Sequence, residues 1–212
     1  MSGDRKQQKI AKRKIKSKLK QKQARQAHTS SIDMQYIRDT LKNPIAECVI
    51  DNSNALHGMR HLMVSKMSGL NIVVLGAFLI DTFCLGVKDA FIKPGSVDKY
   101  KDNREKRPFE KIKPKDAKKL LFDAVEWSRS IGFEPHKDYK KVLKILDGVD
   151  AQASKAIYEF GENGKPYFVA GPYDSPAKCT KVLNTLQKNC GSEKDSFHYI
   201  MPSFDSDIHE PA

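Results

Sequence analysis

The chain has 212 residues, of which 38 are Lys or Arg and 26 are Asp or Glu, for a formal net charge of +12. Hydrophobic residues at 39% and charged residues at 30% are close to the balance of a globular chain, which excludes a collagen-like repeat, a disulfide miniprotein and a polytopic membrane protein. The charge is uneven, because residues 1–26 hold eleven cations against one acid while residues 27–212 hold 27 against 25.

A basic arm over residues 1–30, a nearly neutral globular domain over 31–202 and an acidic, frayed tail over 203–212 are therefore expected. The arm's cations are Arg5, Lys6, Lys9, Lys12, Arg13, Lys14, Lys16, Lys18, Lys20, Lys22 and Arg25. With almost nothing to bury, such a stretch does not offset its own ordering entropy and is expected to be disordered alone. Its composition favours helix, and Ala11, Ile15 and Leu19 recur every four residues. A polyanion would remove the lysine repulsion at i,i+4, so folding on contact with one is expected.

Residues 30–44 read as a short helix with Met34, Ile37 and Leu41 on one side. Ile45 to Ile50 reads as a strand closed by the turn or cap cluster Asp51 to Asn54. His61 to Met67, Asn71 to Phe83 and Leu85 to Ile92 follow closely enough for an antiparallel meander. Pro94 to Pro114, rich in Lys and Arg and holding three prolines, reads as an exposed excursion.

A helix is expected from Lys115 or Asp116 to Ser130. It places Leu120, Leu121, Ala124, Val125, Ser128 and Ile131 on one stripe, with Gly132 as the stop. A second runs from His136 to Leu146. Residues 155–160 and 165–170 read as a hairpin around Gly161 to Gly164. Ser175-Pro176 is an N-cap followed by proline at the first helical position, opening a helix that ends before Gly191. Phe197 to Met201 reads as a last strand. Strands and helices come in segregated blocks, so the fold class expected is α+β, an antiparallel sheet of two strand blocks against about three helices.

Three places could carry chemistry. In Phe78-Leu-Ile-Asp81-Thr-Phe-Cys84-Leu-Gly86-Val-Lys88-Asp89-Ala-Phe91, an acid at a strand end precedes a Gly turn, a lysine and a second acid. Asp81, Lys88 and Asp89 are the catalytic candidates, and Asp81, Asp89 and Asp51 together would suit Mg²⁺ in a metal-dependent nuclease. The favoured alternative makes Asp81 a hydrogen-bonded turn residue and Lys88 with Asp89 an exposed pair. In Gly171-Pro172-Tyr173-Asp174-Ser175-Pro176, Tyr173 and Asp174 are ligand candidates at the mouth of a strand-to-helix turn; the plainer reading is a Gly-Pro turn with a helix cap.

His57 and His61 are four apart, yet no Glu or Cys completes a zinc set, so no metal site is assigned. Nothing near Cys84 supports a Cys-His nucleophile pair. The four cysteines are few and lack C-x-x-C spacing, and the N-terminus lacks a signal peptide's apolar core, so a reduced cytoplasmic location is expected.

The stretches Phe78 to Phe91, Ser130-Ile-Gly-Phe-Glu-Pro-His136 and Gly171 to Asp174 resemble an uncharacterised bacterial protein family with FLVD-x-YCLGVK, LGFEPH and GPYDDP stretches. The resemblance covers about residues 60–200, implies one contiguous domain and implies no activity or cofactor. Phe83 stands where that family carries Tyr.

The arm is the dominant functional feature. Its cations lack interleaved aromatics, which suits phosphate contact rather than base reading. The expectation is a nucleic-acid-binding accessory protein, RNA- or ribosome-associated before DNA-associated. It is expected to be non-enzymatic, with no cofactor and no membrane contact, and with a protein partner open to the globular domain. The alternatives are the Mg²⁺ nuclease and a protein- or small-molecule-binding module with an incidental tail.

Overall fold

Four runs rich in Val, Ile, Leu and Phe become four consecutive strands. The computed structural model describes residues 33–171, 174–191 and 196–201; the basic arm over 1–30 with its eleven cations, Tyr173 and the tail over 203–212 lie outside the described residues. After a helix over residues 33–40 (α1), the strands are Ile45–Asp51 (β1), Met59–Met67 (β2), Ile72–Asp81 (β3) and Gly86–Ser96 (β4). They pair antiparallel in order, as the meander expectation requires. Lys66 on β2 donates a 2.7 Å hydrogen bond to the Leu41 carbonyl, tying the end of α1 to the sheet.

Alternation along each strand sorts side chains between two faces. One face presents the in-register row Ile50, Leu62, Phe78 and Ala90, with Val64, Val74 and Ile80 beside it. These pack against helix Pro114–Ser130 (α3) through its stripe Ala117, Leu120, Leu121, Ala124 and Val125. They also meet Tyr139, Val142, Ile145 and Leu146 of the next helical segment. Gly76 permits the close approach there, since a Cβ would stand 3.0 Å from Ile145 Cγ2.

The segment 94–114 departs from the expected excursion. It forms helix Val97–Glu105 (α2) and an edge strand Phe109–Lys111 (β5), which crosses to the far side of the sheet and pairs antiparallel with β1. The sheet order is β4-β3-β2-β1-β5. Little local hydrophobicity announces these elements, because long-range contacts hold them. Ser96 caps α2 by accepting from Lys99 N–H, Tyr100 hydrogen-bonds Glu47 of β1, and Phe109 is buried.

The second expected helix is shorter than its apolar spacing suggests: Tyr139–Leu143 (α4) passes into a 3-10 turn at Lys144–Leu146. The hairpin over 155–170 is absent as a pair of strands. Around Gly161 to Gly164 only an isolated bridge, Glu162 to Lys165, forms, and residues 155–160 are not strand. Tyr167–Val169 (β6) pairs instead, in parallel, with His198–Ile200 (β7). Between them runs Pro176–Cys190 (α5), whose N-cap Ser175 accepts from Lys178 N–H as its Ser-Pro start predicts. Phe168, Cys179, Val182 and Leu186 form a second small core with Cys84 and Ile131. The class is α+β. No helix among the described residues is long and apolar enough to cross a membrane.

Candidate functional site

The sheet's other face carries a different row. Phe109, Asp51, His61, Leu79 and Asp89 lie in register across all five strands. Asp51, almost fully buried, accepts from Ser53 N–H at 2.8 Å and from Arg107 Nη1 at 3.3 Å. Arg107 Nη1 is also 3.3 Å from His61 Nδ1. A guanidinium only donates, so Nδ1 is the acceptor and the neutral imidazole carries its proton on Nε2. Burial, with help from the Arg107 charge, depresses the His61 pKa against the opposing pull of Asp51. Burial of Asp51 would raise its carboxyl, but the Ser53 bonds, Arg107 and His61 together hold it below the ordinary range.

Beyond this row, α2 leaves part of the face uncovered. A groove of about 360 Å³ is bounded by Leu79, Ala77 and Phe91 on the strands and by Lys106 and Arg107 after α2. Phe91 is 44% exposed, and Lys93 Nζ sits 5.1 Å from its ring centroid.

At the strand ends lies a larger cleft of about 780 Å³, and it is here that the three sequence stretches meet. Its formation depends on a β-bulge. Asp89 pairs with Leu79 but Val87 pairs with Ile80, so Lys88 is an extra residue without a partner on β3. A regular pleat would send Lys88 and Asp89 to opposite faces; the bulge lets both line the cleft. Gly86, at φ 63°, starts the strand after the turn, and a Cβ there would stand 2.4 Å from Ser128 Oγ.

Lys88 Nζ reaches Asp174 Oδ2 at 3.3 Å, 86 residues on, while Lys178 Nζ from the first turn of α5 binds Asp174 Oδ1 at 2.6 Å. Gly171 N–H adds a third donor at 2.9 Å. Burial opposes ionisation of Asp174, yet these hydrogen bonds and the two lysine charges keep its carboxyl below the usual range. Asp174 thus ties the β4 bulge to the start of α5.

Asp81 occupies the turn after β3. Its Oδ1 accepts from Phe83 N–H and Cys84 N–H, each at 3.0 Å. Burial raises its pKa even against those bonds and the nearby Lys88. Asp89 Oδ1 faces His136 Nε2 at 3.6 Å, and His136 Nδ1 accepts from Asp138 N–H at 3.3 Å. Of the residues marked in the sequence, Asp81, Lys88, Asp89 and Asp174 therefore share one cleft, together with His57, His61 and His136.

The three acids imagined around Mg²⁺ do not converge. Asp51 is tied to Arg107, Asp81 to its turn and Asp89 to His136; among the described residues no three His, Cys, Asp or Glu side chains are placed to hold a metal. His57 and His61 do not share a helix, since one ends a 3-10 turn and the other lies on β2. Cys84 is buried, and that burial pushes its thiol pKa up, away from a nucleophile's range.

Sequence reasoning missed Lys178, whose signal was its place four residues after Asp174 at a helix start. It also missed the Arg107–Asp51–His61 cluster and the exposed Phe91. No protein-family model, curated protein or solved structure matches the chain.

Proposed function

We propose that the protein is a non-enzymatic nucleic-acid-binding accessory protein, with single-stranded RNA, alone or on the ribosome, as its favoured partner. The observation that carries this reading is the open sheet face, where exposed Phe91 shares a groove with Lys93, Lys106 and Arg107. An aromatic ring flanked by cations matches the two demands of a single strand, a surface for base stacking and charge for phosphates. The eleven cations between Arg5 and Arg25 supply further, sequence-independent phosphate contacts.

Fluorescence anisotropy of the full chain with labelled single-stranded RNA, duplex RNA and duplex DNA, at several salt concentrations, tests the reading. A log–log salt slope of about −4 to −8 is expected, flattening when the arm's Lys and Arg are replaced by Gln. Phe91→Ala should weaken single-strand binding by about fivefold or more and spare duplex binding, in line with one lost stacking contact. Absence of binding by every probe near physiological salt would overturn the reading. Mg²⁺-dependent shortening of the probe would replace it with the nuclease alternative.

A further inference from the structure

The groove and the cleft are neighbours, because His61, Leu79 and Asp89 line both. A strand lying over Phe91 is therefore led toward the place where Lys88 and Lys178 converge. Those two ammonium groups come from a strand bulge and a helix start, and one carboxylate holds them together. Asp174 occupies one donor on each, leaving further N–H donors on both. Gly171 lies beside Lys88, where a Cβ would be 3.6 Å from Lys88 Nζ, and 18% of the Lys88 side chain remains exposed.

The other acids of the cleft are engaged elsewhere. Asp81 Oδ1 is turned onto the amides of its own turn and Asp89 faces His136, so Asp174 alone is shared by the two lysines. The remaining wall is part apolar, from Met59, Leu79 and Val169, and part polar or aromatic, from Asn54, His57 and Tyr167. A volume of about 780 Å³ suits a small organic ligand carrying one anionic group.

We infer that this cleft holds a nucleotide bearing a terminal phosphate, with the phosphate on Lys88 and Lys178 and the nucleoside against Leu79 and Tyr167. Delivery of that nucleotide as the end of a bound strand rests on the nucleic-acid reading above; a free mononucleotide presents the same chemistry without it.

The test uses the full chain and two sets of probes. In the first, nucleoside monophosphates, the matching nucleosides and inorganic phosphate are titrated by calorimetry. Monophosphates are expected to bind at least about tenfold more tightly than either fragment, the scale of one charge-assisted hydrogen bond. Lys178→Ala, at a half-exposed side chain, and Lys88→Met should each remove that preference, with thermal melting confirming the fold and Lys140→Ala serving as an exposed control. In the second set, oligonucleotides with a 5′-phosphate, a 3′-phosphate or two hydroxyl ends are compared by anisotropy. One phosphorylated end should win, and the advantage should vanish in the same two variants.

If monophosphates bind and no oligonucleotide does, the inference stands, the ligand is a free nucleotide and the nucleic-acid reading falls. If oligonucleotides bind regardless of their ends and monophosphates do not bind, the inference is overturned and the nucleic-acid reading survives. Inorganic phosphate binding as tightly as the monophosphates would also overturn it, leaving a plain anion site.

Discussion

The two faces of the five-stranded sheet are made from alternate residues of the same strands, and they have opposite characters. Ile50, Leu62, Phe78 and Ala90 meet α3 and α4 in a dry core. One position along each strand, Asp51, His61, Leu79 and Asp89 face the other way, into a charged network, a groove and a cleft. The larger core lies on the first face, and the recognition proposed above lies on the second, beside a smaller cluster of Val49, Met63, Leu75 and Phe109. The comparison predicts that damage to one should leave the other nearly untouched.

The largest effect belongs to the covered face. Leu120→Ala, at a fully buried position of α3, should cost about 2–5 kcal/mol in urea unfolding while the folded fraction binds nucleic acid unchanged. Phe91→Ala sharpens the contrast: the same experiment should move by about 1 kcal/mol or less, although single-strand affinity is expected to fall. A Phe91→Ala protein that loses stability as Leu120→Ala does would break the division between the faces.

The pH dependence of stability separates the cleft's two buried carboxyls. Asp81 has a folded pKa above its unfolded one, so its contribution is full below the ordinary aspartate range and is lost as pH rises through the folded value. Asp174 is the reverse, contributing above the ordinary range and losing that contribution as pH falls through its depressed value. Urea midpoints measured from acid to neutral pH should thus decline on both sides. Asp81→Asn, whose amide oxygen still accepts from Phe83 and Cys84, should flatten the fall toward neutral pH, and Asp174→Asn the fall toward acid. A profile unchanged by either substitution would contradict this assignment. The smallest effect concerns His61: removing its cationic neighbour in Arg107→Gln should raise its NMR-monitored pKa, with little change in stability.

Legibility in the sequence followed the same division. The α3 stripe from Leu120 to Val125 and the strands β1 to β4 were readable because periodic burial on one face writes itself into spacing. The pair α2 and β5 was not, because Tyr100, Arg104 and Phe109 are fastened to Glu47 and the edge of β1 by contacts more than fifty residues away. The hairpin over 155–170 failed for a related reason, since β6 takes β7 as its partner instead of residues 155–160. Asp81, Lys88, Asp89 and Asp174 were visible as unusual residues in apolar or turn-rich settings. Their meeting was not, because it depends on a bulge and on one ion pair closing 86 residues of chain.

The bulge at Lys88 also bears on how such a site arises and disappears. Loss of the single codon for Lys88 would leave Asp89 opposite Leu79 and Val87 opposite Ile80 in one uninterrupted ladder, with every apolar row of the covered face in place. The protein would keep its architecture and lose one of its two clustered ammonium groups. The binding proposed for this cleft thus depends on strand length as well as on residue identity, since one lost codon would remove the bulge and the Lys88–Asp174 ion pair together.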